Sequence, residues 1–110
     1  MNKTILIGRT TKEAELRYTP EGKAVATVDL AVNRDFENSK GEREADFIRL
    51  VIWGKRAEAF ANYVKKGHQV AVEGRIQTRN FDKQDGTGKV YVTEVVVSDF
   101  TFLEKKSVQA

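Results

Sequence analysis

Apolar positions along this chain mostly recur at every second residue. In "AVATVDLAVN" (24–33), Ala24, Ala26, Val28, Leu30 and Val32 alternate with Val25, Thr27, Asp29, Ala31 and Asn33. Successive side chains of a strand point to opposite faces, so this spacing predicts a strand buried on one face. "KTILIGR" (3–9) is apolar and β-branched, is closed by "TTKEAE", and reads as a strand. "HQVAVEGRIQTRNF" (68–81) places Val70, Val72 and Ile76 on a core face and Gln69, Ala71, Glu73, Arg75, Gln77, Arg79 and Phe81 on the other. "KVYVTEVVVSDFTFLE" (89–104) is the most β-prone segment. One stretch changes period. In "KRAEAFANYVKKG" (55–67), Ala57, Phe60, Ala61 and Val64 fall at i, i+3, i+4 and i+7, which predicts a short amphipathic helix. Lys65 and Lys66 are expected in its last turn, with Gly67 as the stop.

The connections are polar. "RYTPEGK" (17–23) reads as a turn through Pro20 and Gly22, "RDFENSKGERE" (34–44) as the loop of a long hairpin, and "DKQDGTG" (82–88) as a hairpin tip. Three strands, a helix and two strands, in that order, predict an all-β OB-fold. This is a five-stranded Greek-key barrel with one α-helix between strands 3 and 4, the helix plugging its open end. An immunoglobulin-like sandwich would need about seven strands and no inserted helix.

The third strand, "ADFIRLVIWGK" (45–55), complicates the pattern. Ile48, Leu50 and Ile52 form a core face, yet the opposite face carries Phe47, Arg49, Val51 and Trp53 in place of small polar residues. A face built from two large aromatics around an arginine is dressed for something other than water.

Composition narrows the classes. At 110 residues, 40% hydrophobic and 32% charged, the chain suits one globular domain, expected over 1–104 with a short flexible tail at 105–110. No run reaches the length of a membrane span, and "MNKTILIG" lacks the regions of a signal peptide. A cytoplasmic protein without membrane contact is expected, and the sequon Asn2-Lys3-Thr4 carries no weight. The absence of cysteine excludes disulfides, thiolate metal sites and cysteine nucleophiles. Net charge is only +3, but it is unevenly spread. Residues 45–83 hold eight Lys/Arg against four Asp/Glu, whereas 1–44 balance and 84–110 carry a net of −1.

Catalytic chemistry finds no support. The one histidine, His68, opens a strand, and the three serines (39, 98, 107) lie in no nucleophile-like context. "GTGK" (86–89) lacks the first glycine of a phosphate-binding loop and leads into a strand. "DKQDG" fails the spacing of a calcium loop, with Thr93 at the twelfth place. No enzyme, metal or cofactor is expected.

The aromatics are the informative signal. Phe47, Trp53 and Phe81 occupy non-core faces and Phe36 a polar loop, interleaved with Arg34, Arg49, Lys55, Arg56, Arg75 and Arg79. One such ring could anchor a loop or a subunit contact. Four rings, each with a cation within two residues, match the needs of unpaired nucleic acid: flat platforms for bases and cations for phosphates. Stacking on an aromatic contributes roughly 1–3 kcal/mol per base, whatever the base. Phe47 and Trp53 would stand about 20 Å apart along a strand, room for several nucleotides. Two alternatives stay open on these residues: an RNA-binding OB module, and a protein-interaction module whose aromatic face is a subunit contact.

In "NKTILIGR", "ELRYTPEGKAVATVDLAVNRDF", "EADFIRLVIWGKRAE", "YVKKGHQVAVEGRIQTRNF" and "YVTEVVV", in order and over nearly the whole chain, the sequence resembles the bacterial single-stranded DNA-binding protein family, short Gram-positive members included. The resemblance implies an OB-fold, sequence-independent binding and protection of single-stranded DNA in replication, recombination and repair or DNA uptake, and a homotetramer with approximate D2 symmetry. It implies protomer pairing through residues 3–7 and stacking by Phe36, Phe47, Trp53 and Phe81. Family members commonly have Trp at the first, second and fourth of these and Phe at the third, a choice this chain largely inverts. Family basic positions fall on Arg49, Lys55, Lys65, Lys66 and Arg79, with looser matches at Lys3, Arg17 and Arg34. Ile48 stands where the family has a histidine tied to tetramer integrity. The family's acidic C-terminal tip, which recruits replication and repair enzymes, has no counterpart in "EKKSVQA", so poor recruitment is expected.

Overall fold

A computed structural model describes residues 1–104, so the expected tail at 105–110 lies outside the described residues. Its elements run β1 (Thr4–Thr10), β2 (Glu15–Tyr18), β3 (Ala24–Glu37), β4 (Arg43–Trp53), α1 (Lys55–Tyr63), β5 (Gln69–Asp82) and β6 (Lys89–Phe102). The strands form one sheet in the order β1-β5-β6-β4-β3-β2. Strand β1 also pairs with β3 through Arg9↔Ala31 and Thr10↔Leu30, closing a barrel of β1, β3, β4, β5 and β6. The helix lies between the third and fourth barrel strands, as the pattern predicts. No helix among the described residues is long and apolar enough to cross a membrane.

Alternation fills the barrel. Ala24, Ala26, Val28 and Leu30 of β3 point inward with Leu50 and Ile52 of β4, Val70 and Val72 of β5, and Val95 and Val97 of β6. Helix α1 lies against β2, β3 and β4 and adds Ala57 and Phe60, followed by Val64, to the same core. Phe60 meets Phe100 edge-on, with ring centroids 5.0 Å apart. Two glycines permit the close approaches. A Cβ at Gly8 would collide with the Ala31 carbonyl oxygen where β1 crosses to β3, and one at Gly74 with that of Val96.

Gly74 also marks where β5 parts from β1, at its pairing with Thr4. Glu73 faces Asp99 but Gly74 faces Val97, so Ser98 is an extra residue bulged from β6, its hydroxyl donating to the Glu73 carbonyl (2.9 Å). Past Val95, where β6 loses its partner on β4, the two strands continue as a hairpin arm. Strands β3 and β4 continue as another, and the two arms share only a short root, because β4 and β6 pair solely at Leu50–Ile52 and Val95–Val97. The Asn2 side chain braces the second arm: its Nδ2 donates to the Ile76 carbonyl (2.7 Å) and its Oδ1 accepts from the Ile76 N–H (2.9 Å).

Several local expectations change. Arg17 and Tyr18 belong to β2, and the turn is confined to the residues after them: the Thr19 N–H donates to Lys23 O and the Gly22 N–H to Thr19 O. The expected loop 34–44 is mostly strand, with only a tight turn at Asn38–Glu42, where Asn38 Oδ1 accepts from the N–H groups of Lys40 and Glu42 (2.9 Å each). The helix ends at Tyr63, because Val64 is already extended (φ −98°, ψ 116°) as it dips into the core. Lys65 and Lys66 therefore sit in the turn after the helix, closed by the His68 N–H donating to Lys65 O (3.1 Å), with Gly67 at φ 81°. Ile76 keeps the same side of β5 as Val72 but is 47% exposed, since beyond Gly74 the barrel no longer covers that side.

Candidate nucleic-acid interface

The outer face of the sheet follows from register. Directly opposed residues share a face, so β3–β4 pairing joins Val25 with Trp53, Thr27 with Val51, Asp29 with Arg49 and Ala31 with Phe47. The parallel β4–β6 pairing joins Val51 with Val96, and β5–β6 pairing adds Arg75 opposite Val96, Gln77 opposite Glu94, Arg79 opposite Val92 and Phe81 opposite Val90. Strand β2 extends the same surface with Arg17 opposite Val25. Phe47, Arg49, Trp53, Arg75, Arg79 and Phe81 thus share one continuous surface spread over β4 and β5, contributed by segments nearly thirty residues apart in the chain.

The rings on this surface are open. Phe47 is 69% exposed, Trp53 46% and Phe81 47%, while Phe36, near the end of the β3–β4 arm, is 83% exposed. Large apolar side chains left uncovered on one face of a barrel with a filled core are what a surface offers to a partner, whether a ligand or another protein. The Arg79 guanidinium carbon lies 5.8 Å from the Phe81 ring centroid, within cation–π range.

The cations divide into sets. Arg49 and Arg79 stand on the face and both approach Glu94, whose Oε2 is 3.3 Å from Arg49 Nε and whose Oε1 is 2.7 Å from Arg79 Nε. Arg75 stands beside them, with its Nη1 donating to Gln77 Oε1 (3.4 Å). Lys55 and Arg56 open α1 just past Trp53, and Arg56 pairs loosely with Asp99 (3.7 Å). The turn that carries Lys65 and Lys66 is tied to the end of β1 instead, where Thr10 Oγ1 donates to Lys65 O (2.7 Å) and the Gly67 N–H to Thr10 O (2.9 Å). Arg34 is engaged by two acids on its own arm, Glu44 (3.0 Å) and Asp46 (2.9 Å). Its hydrogen bonds hold the Asp46 carboxyl below the usual carboxylate range, and Arg34 itself is raised by the same contact. His68 acts locally, its Nδ1 accepting from the Lys65 N–H (3.0 Å) while its ring meets Phe102 edge-on.

Sequence reading passed over Glu94 and Gln77. Glu94 is only 2% exposed although it lies on the outer face, roofed by Arg79, Gln77 and Arg49. Burial opposes its charge. Hydrogen bonds from Arg79 and Gln77 and the charges of Arg79 and Arg49 outweigh that cost, so its carboxyl lies below its ordinary value. The available signal was one acid in a run of valines ("VTEVVV"), which says nothing about partners on two other strands.

This arrangement can hold a chain of flat, unpaired rings joined by anions. Comparison with known proteins agrees in kind. Residues 1–103 match the model of the single-strand binding protein family. The chain is 60% identical to the single-stranded DNA-binding protein of Bacillus cereus over 107 residues, which is 97% of this chain and 62% of that protein. It is 59% identical to the one from Lactiplantibacillus plantarum, covering 97% of this chain and 53% of the relative. It is also 57% identical to single-stranded DNA-binding protein 3 of Streptococcus agalactiae, covering 99% and 78%. The chain therefore spans about six-tenths of the Bacillus cereus relative and about half of the Lactiplantibacillus one. With its barrel, its uncovered aromatic face and a family match running almost from end to end, the chain belongs to the single-strand binding protein family.

Proposed function

We propose that this chain binds single-stranded DNA without regard to sequence, shielding unpaired strands during replication, recombination and repair. The observation that carries the reading is the single outer face on which Phe47, Trp53 and Phe81 stand open beside Arg49, Arg75 and Arg79. Bases stack on the rings and phosphates run past the guanidinium groups, so affinity depends on the strand being unpaired rather than on which bases it carries. Phe36 at the end of the first arm and Lys55 and Arg56 at the start of α1 extend the path at either end. Lys65 and Lys66 serve strand that continues past the helix, and Arg34 joins only if DNA draws it from its two acids.

The working unit in this reading is a homotetramer. Ile5 and Ile7 stand exposed on the outer side of β1, an apolar edge that a second protomer would cover. Light scattering on the purified chain should give four times its 12.4 kDa mass; a monomer at micromolar concentration contradicts this part.

Anisotropy titrations with a labelled oligo-dT, an RNA of equal length and a duplex test the main claim. Tight binding to oligo-dT with weak binding to duplex is expected. Preference for RNA would redirect the reading to an RNA-binding module, and binding to none of the three would make the aromatic face a protein contact.

A further inference from the structure

A buried carboxylate at the centre of a surface meant for phosphates is a liability unless it serves a purpose there. Glu94 has that position. Its side chain is 1% exposed, it lies directly opposite Gln77 on β5, and it precedes Val95, the partner of Leu50 on β4. Arg79 Nε and Gln77 Nε2 donate to its Oε1 at 2.7 and 3.0 Å. Its Oε2 has no hydrogen bond and relies on the Arg49 guanidinium at 3.3 Å. One acid thus gathers two arginines from two strands.

The manner of gathering matters. Both arginines meet Glu94 through Nε, at the neck of the guanidinium. Among the described residues neither makes another hydrogen bond or ion pair, so the terminal Nη groups remain free for other acceptors. Each side chain stays 43% exposed. Two arginines and one acid leave a net positive charge at the surface, while the acid is roofed from solvent and from any approaching anion. Without it, two adjacent cations would repel each other and lose a shared orientation, and long arginine side chains give up considerable rotamer freedom when fixed.

We propose that Glu94 is a positioning residue for strand binding: it fixes Arg49 and Arg79 side by side by their necks, so that both guanidinium heads face the phosphates between the Phe47–Trp53 and Phe81 platforms. The inference rests on the single-strand reading above and names the group that organises its cations. Gln77 completes the anchor by taking the remaining approach to Oε1 from the opposed position on β5.

Opposite expectations separate this role from a simple charge effect. Were Glu94 only a negative charge near DNA, E94Q would bind oligo-dT more tightly and E94D, which keeps the charge, would bind as wild type. Positioning demands the reverse. E94Q is expected to bind about tenfold more weakly, the scale of one charge-assisted hydrogen bond. Its salt dependence should be shallower by about 0.7 for each phosphate that is no longer neutralised. E94D, too short to span both arginines, should weaken binding as well. In an R49A/R79A background the Glu94 substitutions should change nothing further, whereas a general structural defect would lower affinity there too.

The experiment is a set of oligo-dT titrations at several salt concentrations on these variants, with circular dichroism and light scattering confirming fold and assembly. If E94Q does not reach the wild-type fold, E94D decides alone. Wild-type affinity in E94D, tighter binding by E94Q, or an undiminished loss in the R49A/R79A background would overturn the proposal. A wild-type chain that fails to bind oligo-dT would instead overturn the functional reading.

Discussion

The guanidinium of Arg79 stands over the ring of Phe81, 5.8 Å from its centroid, two residues apart on the same face of β5. In the proposed binding mode, a cation resting above an open ring offers a phosphate partner and a base platform in one place. Phe81→Ala should therefore weaken oligo-dT binding by roughly 1–3 kcal/mol, the measured scale of a stacked base. Thermal stability should be almost unchanged, because the ring is half-exposed on an arm outside the core. Anisotropy and a melting curve on the same sample check both halves. Unchanged affinity would remove Phe81 from the path.

Trp53 is the only tryptophan, so its emission reports on one position. It lies on the outer face opposite Val25, at the helix end of β4. Adding oligo-dT should quench it, since a stacked base touches the ring. Unaltered emission at saturation would mean that the strand does not reach this end of β4.

Salt should weaken binding steeply. Each phosphate neutralised contributes about −0.7 to the slope of log K against log salt for single strands. If Arg49, Arg75 and Arg79 act on the strand, replacing any one with Ala should make that slope shallower by about one phosphate's share, while a slope that does not respond would show these arginines to be bystanders. R34A should change it less than these, because Arg34 is already held by Glu44 and Asp46.

The barrel was legible in the sequence wherever one face of a strand is buried and the other is wet. Val28 and Leu30, and Leu50 and Ile52, sit two apart for that reason and all point into the core. Legibility failed where neither face is covered. Glu15–Tyr18 is four residues long with only Leu16 half-buried, and Arg34–Glu37 is solvent-exposed throughout, so neither stretch carries a period that could identify it as strand. Ile76 shows the converse: the alternation runs on past Gly74, but the barrel that gave it meaning does not. For the interface, the exposed rings could be read from Phe47 and Trp53 on the wrong face of an evident strand. Glu94 could not, because its burial depends on Arg49 and Arg79 arriving from two other strands.

The core residue Phe60 should govern stability without entering the interface. It is fully buried and packs edge-on against Phe100. Phe60→Ala should cost about 3–5 kcal/mol, typical of a large aromatic removed from a core. Denaturant unfolding would show it, and a loss below about 1 kcal/mol would mean that the helix is not seated in the barrel as described.

Acid should act through Glu94. Its carboxyl is held below its ordinary value in the folded chain, so the ionised form favours folding. That contribution is fully present above the unfolded chain's carboxylate value and disappears as pH falls through the lower folded value. The melting temperatures of wild type and E94Q should therefore differ near neutral pH and converge through the acid range. A constant gap at every pH would show that the difference does not come from ionisation.

The decisive question is which surface meets the strand. Ultraviolet cross-linking of oligo-dT to the native protein, followed by peptide mass spectrometry, reads that surface residue by residue. Thymine adducts are expected at Phe36, Phe47, Trp53 and Phe81. Adducts confined to the outer side of β1 or to α1, with those four rings unmodified, would contradict the binding path described above.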